Sequence, residues 1–230
     1  MEFANASELY KFVKTHSIKR VLDLGTGIGV SPAVVALAME HKGETDYHID
    51  SIEQFGKCVK IAKELIPEEL QKHLLIYHSP VKIISFPEIP YQYFSTYASL
   101  PEGDYDLIIN DGPGMFLENG NLIDLPNGTI TQMLRDGKLK PGTFIAWDGR
   151  IHMLKLLSRF YKDNFEMIPF PGTDLNILVR KDNPPTLRDN ALEEIKTLTT
   201  YFNEENTFTT NSTPSQSEAV SPNTGTTETL

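Results

Sequence analysis

Residues Arg20 to Met39 read Arg-Val-Leu-Asp-Leu-Gly-Thr-Gly-Ile-Gly-Val-Ser-Pro-Ala-Val-Val-Ala-Leu-Ala-Met. An apolar strand runs here into three alternating glycines and then into a helix with a wide apolar face. Gly25, Gly27 and Gly29 lack a Cβ, so the backbone can take positive φ and lie against a ligand where a side chain would collide. Ser31 is expected to cap the helix and Pro32 to occupy its first position, leaving the N–H groups of the helix start facing the same crevice. The pattern is that of a nucleotide-cradling turn. The alternative is a tight strand-to-helix turn with no ligand.

The spacing Gly-x-Gly-x-Gly departs from the dinucleotide fingerprint, which has two residues before its last glycine and seats a pyrophosphate on the helix. Asp23, just before the turn, also disfavours a pyrophosphate, so a nicotinamide-dependent dehydrogenase is the weakest reading. As it stands, Val-Leu-Asp-Leu-Gly-Thr-Gly-Ile-Gly resembles the first motif of the class I S-adenosylmethionine-dependent methyltransferases. In that family the loop passes under the amino-acid end of the cofactor. The resemblance implies S-adenosylmethionine held by Asp23, Gly25, Thr26, Gly27 and Gly29, with Asp111 at a neighbouring strand end also in contact with it.

An adenosine in this loop calls for a carboxylate at the next strand's end, because the ribose diol offers two donors that one carboxylate can accept together. Tyr47-His48-Ile49-Asp50-Ser51-Ile52-Glu53 reads as that strand, and Glu53 follows Gly29 at close to the roughly 20 residues this architecture uses. Ser-Ile-Glu resembles the family's ribose-binding strand end. Alternation turns Asp50 away from the tip, and a solvated glutamate capping the following helix is the other reading of Glu53.

A chain of 230 residues with 40% hydrophobic content can bury one sizeable core. Residues 18–183 are expected to form that domain, with an N-terminal helix over 1–17, a C-terminal helix over 184–205, and a disordered Ser/Thr-rich tail over 206–230 that is too poor in large apolar residues to offset its ordering entropy. The net charge of -10 and the lack of any Lys/Arg cluster disfavour nucleic acid as a partner. The single cysteine, Cys58, permits neither an intramolecular disulfide nor a cysteine-rich metal site. No signal-length or membrane-length apolar run occurs, so the chain is expected to be cytoplasmic.

Between the ends the chain alternates in the manner of a doubly wound α/β domain. Strands are expected over 20–24, 47–52, 74–77, 105–110 and 143–147, with helices over 7–16, 32–40, 55–66, 128–139 and 152–163. The segments 165–169 and 176–179 then form an antiparallel edge pair through Pro171-Gly172. Seven strands in this order resemble the Rossmann-like methyltransferase sheet with its antiparallel last strand.

An open α/β sheet binds its ligands at the carboxyl ends of its strands. Two of these ends carry aspartates, Asn110-Asp111-Gly112-Pro113-Gly114 and Trp147-Asp148-Gly149-Arg150. Converging carboxylates can hold a divalent cation or act as acid and base. In the catechol-type O-methyltransferases, aspartates at these two positions bind Mg²⁺ with an asparagine directly after the second. Gly149 occupies that place here, which puts a metal on Asp111 and Asp148 in doubt. The Asp-Gly-Pro and Asp-x-Arg tips look more like methyltransferases of hydroxyl groups on sugars or glycan-like substrates, and the Asp/Asn-Pro-Pro-Tyr motif of base-amine enzymes is absent.

The resemblance therefore implies displacement of the sulfonium methyl by a hydroxyl oxygen of a small molecule or sugar. Asp111 is the candidate base, Asp148 its support, and His152 a group that can take a proton near neutral pH. Arg150 could hold an anionic substrate group. Ser79, fixed by Pro80, is the candidate beside the adenine, and 114–127 reads as a lid over the site. An inactive cofactor-binding or interaction protein and an aminopropyltransferase remain as rivals, the latter disfavoured because a helix rather than a β-hairpin precedes residue 18. Oligomeric state is not legible.

Overall fold

The structure is a computed structural model and describes residues 3–87, 89–113, 125–148, 161–170 and 173–185. Helix α1 (Phe3–Thr15) leads into β1 (Arg20–Leu24), α2 (Val30–Lys42), β2 (His48–Glu53), α3 (Gly56–Leu65) and β3 (Leu74–His78). A hairpin of β4 (Val81–Phe86) and β5 (Ile89–Tyr97) follows, then β6 (Leu107–Asn110), α4 (Thr129–Arg135), β7 (Phe144–Asp148), β8 (Phe165–Pro169) and β9 (Leu175–Arg180).

Seven strands form one sheet in the order β3-β2-β1-β6-β7-β9-β8. The first five are parallel neighbours, and β9 runs antiparallel to both β7 and β8. The order reverses at β1, since β1 pairs with β2 on one side and β6 on the other. Ligands of open α/β sheets bind at such a switch point. The central strands are buried on both faces, as the continuous apolar run Leu107-Ile108-Ile109 requires.

One face of the sheet is covered by helices. Leu9, Phe12 and Val13 of α1 and Val35, Ala36 and Met39 of α2 pack on Val21, Ile49, Leu107, Ile109, Ala146 and Ile177. The opposite face is covered by Phe86, Phe94 and Tyr97 of the hairpin with Ile130, Met133 and Leu134 of α4, over Leu22, Leu24, Ile52, Ile108, Ile145 and Trp147. The hairpin was not expected from the sequence. It stands in the connection from β3 to β6, where a doubly wound sheet ordinarily places a crossover helix.

The start of α2 also differs from expectation. The helix begins at Val30 and its cap is Gly29 in the left-handed region, with no side-chain cap. Ser31 lies inside the first turn and donates its hydroxyl to Asp23 Oδ1 at 2.8 Å. The buried Asp23 carboxyl, on the strand that leads into this turn, is a stronger attractor for the hydroxyl than the N–H groups of the helix start. Pro32 still falls in the first turn, where its missing N–H leaves no intrahelical bond unmade.

The expected helix over 152–163, the Pro171-Gly172 turn, most of the C-terminal helix and the tail lie outside the described residues. No helix among the described residues is long and apolar enough to cross a membrane.

Candidate functional site

The carboxyl ends of β1, β2, β6 and β7 meet at one edge. Gly25 takes φ +101°, and a Cβ there would come within 2.7 Å of the Gly112 nitrogen and 2.8 Å of the Asp111 carbonyl carbon. The turn after β1 is therefore pressed backbone to backbone against the turn after β6. The Asp111 N–H donates to the Leu24 carbonyl at 2.9 Å, and the Gly25 and Thr26 N–H groups share the Ile52 carbonyl at 2.9 and 3.1 Å. Gly27 differs, since at φ +54° its missing Cβ has nothing within 4 Å. It is the point at which the loop opens outward, while Gly29 fits against Ile66 of the turn after α3.

Glu53 closes the loop from the side. Its Oε2 accepts the Gly27 N–H at 2.8 Å and its Oε1 accepts the Phe55 N–H at 2.9 Å. The carboxylate thereby ties the glycine turn to the end of β2, and each oxygen keeps a lone pair free for a further donor. Asp50 faces the other side of the sheet, accepting Tyr105 and Tyr77 hydroxyls at 3.0 and 3.1 Å with His48 Nε2 at 2.9 Å.

Beneath the loop Asp23 is fully buried. It accepts Ser31 Oγ at 2.8 Å and Ser51 Oγ at 2.5 Å, and Ser51 Oγ lies 2.5 Å from Thr26 Oγ1. Burial pushes the Asp23 carboxyl up to about 7 against the pull of the two serine hydroxyls, with the charges of Asp111 and Glu53 adding to the rise. Its environment stores the cost of a carboxylate taken out of water.

Ser79 lies at the end of β3, and its N–H donates to the Glu53 carbonyl at 3.0 Å. Its hydroxyl donates to the Ser99 carbonyl at 2.9 Å and accepts the Ser99 N–H at 3.1 Å. Asp111 is half-buried beside Gly25, and Asp148 is 8% exposed at the end of β7. His152, Gly149, Arg150 and residues 114–124 of the expected lid lie outside the described residues.

Four residues complete this edge that sequence reasoning did not single out. Asn5 of α1 is buried, donates its amide to Asp148 Oδ1 and accepts the Asp174 N–H at 3.1 Å. Asn127 donates to Asn110 Oδ1 at 2.9 Å and to the Gly112 carbonyl, and accepts the Thr129 N–H at 2.8 Å. Tyr97 stands so close to the second turn that a Cβ on Gly112 would lie 2.5 Å from its hydroxyl. Trp147 is 1% exposed. Only the indole of Trp147, next to an aspartate at a strand end, left a local trace in the sequence.

No protein-family model matches the sequence, and no curated protein matches it either. The fold is similar to that of solved methyltransferases. The Podospora anserina methyltransferase PaMTH1, bound to S-adenosylhomocysteine, shares 14% identity over 80% of each chain at a TM-score of 0.51. A methyltransferase from Geobacter sulfurreducens shares 14% identity over 79% of each chain at 0.52. The Streptomyces achromogenes O-methyltransferase TomG, in complex with S-adenosylmethionine, shares 12% over 79% of this chain and 81% of its own at 0.50. With its strand order, antiparallel last strand and glycine turn at the switch point, the chain has the class I S-adenosylmethionine-dependent methyltransferase fold.

Proposed function

We propose that the chain is a cytoplasmic methyltransferase that transfers the methyl group of S-adenosylmethionine to a hydroxyl oxygen of a small molecule or sugar. The observation that carries the reading is the unit made by Gly27 and Glu53, in which an open glycine turn is bonded to a carboxylate at the neighbouring strand end. The free lone pairs of Glu53 suit the two hydroxyls of a ribose, and the turn leaves room for the amino-acid end of the cofactor above Asp23. Bound there, the cofactor supplies a methyl group on a sulfonium, a strong leaving group.

The remaining work falls to alignment and to one proton. Asp111, half-buried beside the glycine turn, accepts the hydroxyl proton of the substrate. Asp148, held by the Asn5 amide, supports it from the next strand. His152, four residues beyond, is the second group placed by the sequence to take that proton. Among the described residues no three His, Cys, Asp or Glu side chains gather in metal-binding positions, and Asp148 already engages Asn5. The described residues at these strand ends thus do not fit a Mg²⁺ site.

Titration calorimetry with S-adenosylmethionine and S-adenosylhomocysteine, beside Glu53→Ala and with NAD as control, tests the proposal. Micromolar binding of both sulfur ligands and none of NAD is expected. Removing a carboxylate that accepts two ribose hydroxyls should weaken them about 100-fold. Absence of binding by either sulfur ligand to the wild-type chain would sink the reading.

A further inference from the structure

Asn110 and Trp147 close adjacent parallel strands and are register partners across β6 and β7. Their side chains stand side by side on the face that carries the hairpin and α4, with Cα atoms on the order of 5 Å apart. Both are buried, at 0% and 1% exposure. The orientation of the Asn110 carboxamide follows from its network, because its Oδ1 accepts the Asn127 amide at 2.9 Å and its Nδ2 therefore points elsewhere. Among the described residues neither Asn110 Nδ2 nor Trp147 Nε1 has a hydrogen-bond partner. Buried donors are almost always paired, and an unpaired one is costly. Two of them on neighbouring strand ends, each directly followed by an aspartate, mark a place built for an acceptor atom.

We propose that Asn110 and Trp147 form an oxygen-binding subsite for the methyl acceptor that takes a neutral hydroxyl or carbonyl oxygen. The inference rests on the methyl-transfer reading above, which it deepens by naming the substrate chemistry. The two N–H groups donate to the substrate oxygen, and a hydroxyl bound there can hand its own proton toward Asp111 or Asp148. An anionic oxygen would be brought beside two carboxylates and is disfavoured. A substrate without the oxygen leaves both donors unpaired, which is how a site of this kind rejects deoxy analogues.

The chain has one tryptophan, so a ¹⁵N-labelled sample gives a single indole N–H signal that belongs to Trp147. The full chain with S-adenosylhomocysteine is titrated with methyl α-glucopyranoside as the neutral probe and with acetate as the anionic one, at matched ionic strength. A saturable downfield shift of the indole proton with the glucoside and none with acetate is expected. Trp147→Phe and Asn110→Leu should each weaken the glucoside at least about tenfold in ligand-detected NMR while S-adenosylhomocysteine binds within about twofold of wild type. An indole signal unmoved by the glucoside in protein that binds S-adenosylhomocysteine overturns the proposal, as does an equal response to acetate. Should the glucoside move the indole in protein that does not bind S-adenosylhomocysteine, the donor pair stands and the methyl-transfer reading falls.

Discussion

The two halves of the strand-end edge are built on different terms. Around β1 and β2 the polar groups of the loop are bonded to one another: Glu53 ties Gly27 to Phe55, and Ser31, Ser51 and Thr26 surround Asp23, with the acceptor Gln54 Oε1 alone left unpaired beside them among the described residues. Around β6 and β7 Asn5 holds Asp148, Asn127 ties Asn110 to the Gly112 carbonyl, and two buried donors stand unpaired. On the reading proposed above the first half takes the cofactor, and extensive internal bonding suits that task, since preorganisation lowers the cost of each binding event. On the same reading the second half reads the substrate, where unpaired donors discriminate by pairing only with the right partner.

The sharpest break of the comparison is Gly25→Ala, which drives a methyl into the backbone of Asp111 and Gly112 at a positive φ. A loss of about 4 kcal/mol in urea unfolding is expected from overpacking and left-handed strain together. A loss under about 1 kcal/mol would show that the two turns are not locked.

Asp23 comes next. Its folded pKa of about 7 lies above the unfolded value near 3.8, so the folded state holds the extra proton between them. Its stabilising contribution is complete below pH 3.8 and is lost as pH rises through 7. Stability of the wild type relative to Asp23→Asn should therefore fall by about 4 kcal/mol from pH 4 to pH 8. A flat difference across that range would mean that Asp23 is solvated.

Asn5→Ala should cost about 2 kcal/mol, because it strips a buried donor from Asp148 and an acceptor from the Asp174 N–H. Its effect on S-adenosylhomocysteine affinity should be slight, since Asn5 serves the other half. Gly27→Ala should have the smallest effect on stability, about 1 kcal/mol for the left-handed backbone alone. It should nonetheless weaken the sulfur ligands more than any change near β7, which calorimetry on the two variants side by side will decide.

Much of this arrangement can be read from local pattern. The runs Arg20–Leu24 and Phe165–Pro169 coincide with their strands, and the glycine turn with Glu53 follows from strand-turn-helix grammar. The hairpin escaped because Pro87 and Pro90 break a segment that otherwise alternates, and proline argues against strand unless it sits at an edge or irregularity. The register does shift, between Ser85 and Phe86, next to that break. Ser31 was misread as a cap because the sequence does not show that Asp23 lies beside it across the loop. Asn5, Tyr97 and Asn127 carry no local signal at all, since what makes them part of the edge is contact across the whole chain.

That last property bears on how the protein comes off the ribosome. Asn5 is made well before its two partners, Asp148 and Asp174. At ordinary elongation rates the nascent helix waits on the order of ten seconds before it can dock. Through that interval the apolar side of Leu9, Phe12 and Val13 has no complete sheet to cover it. The same contact that completes the strand-end edge thus leaves the newborn chain open to chaperones and to its neighbours on the polysome until both partners have been made.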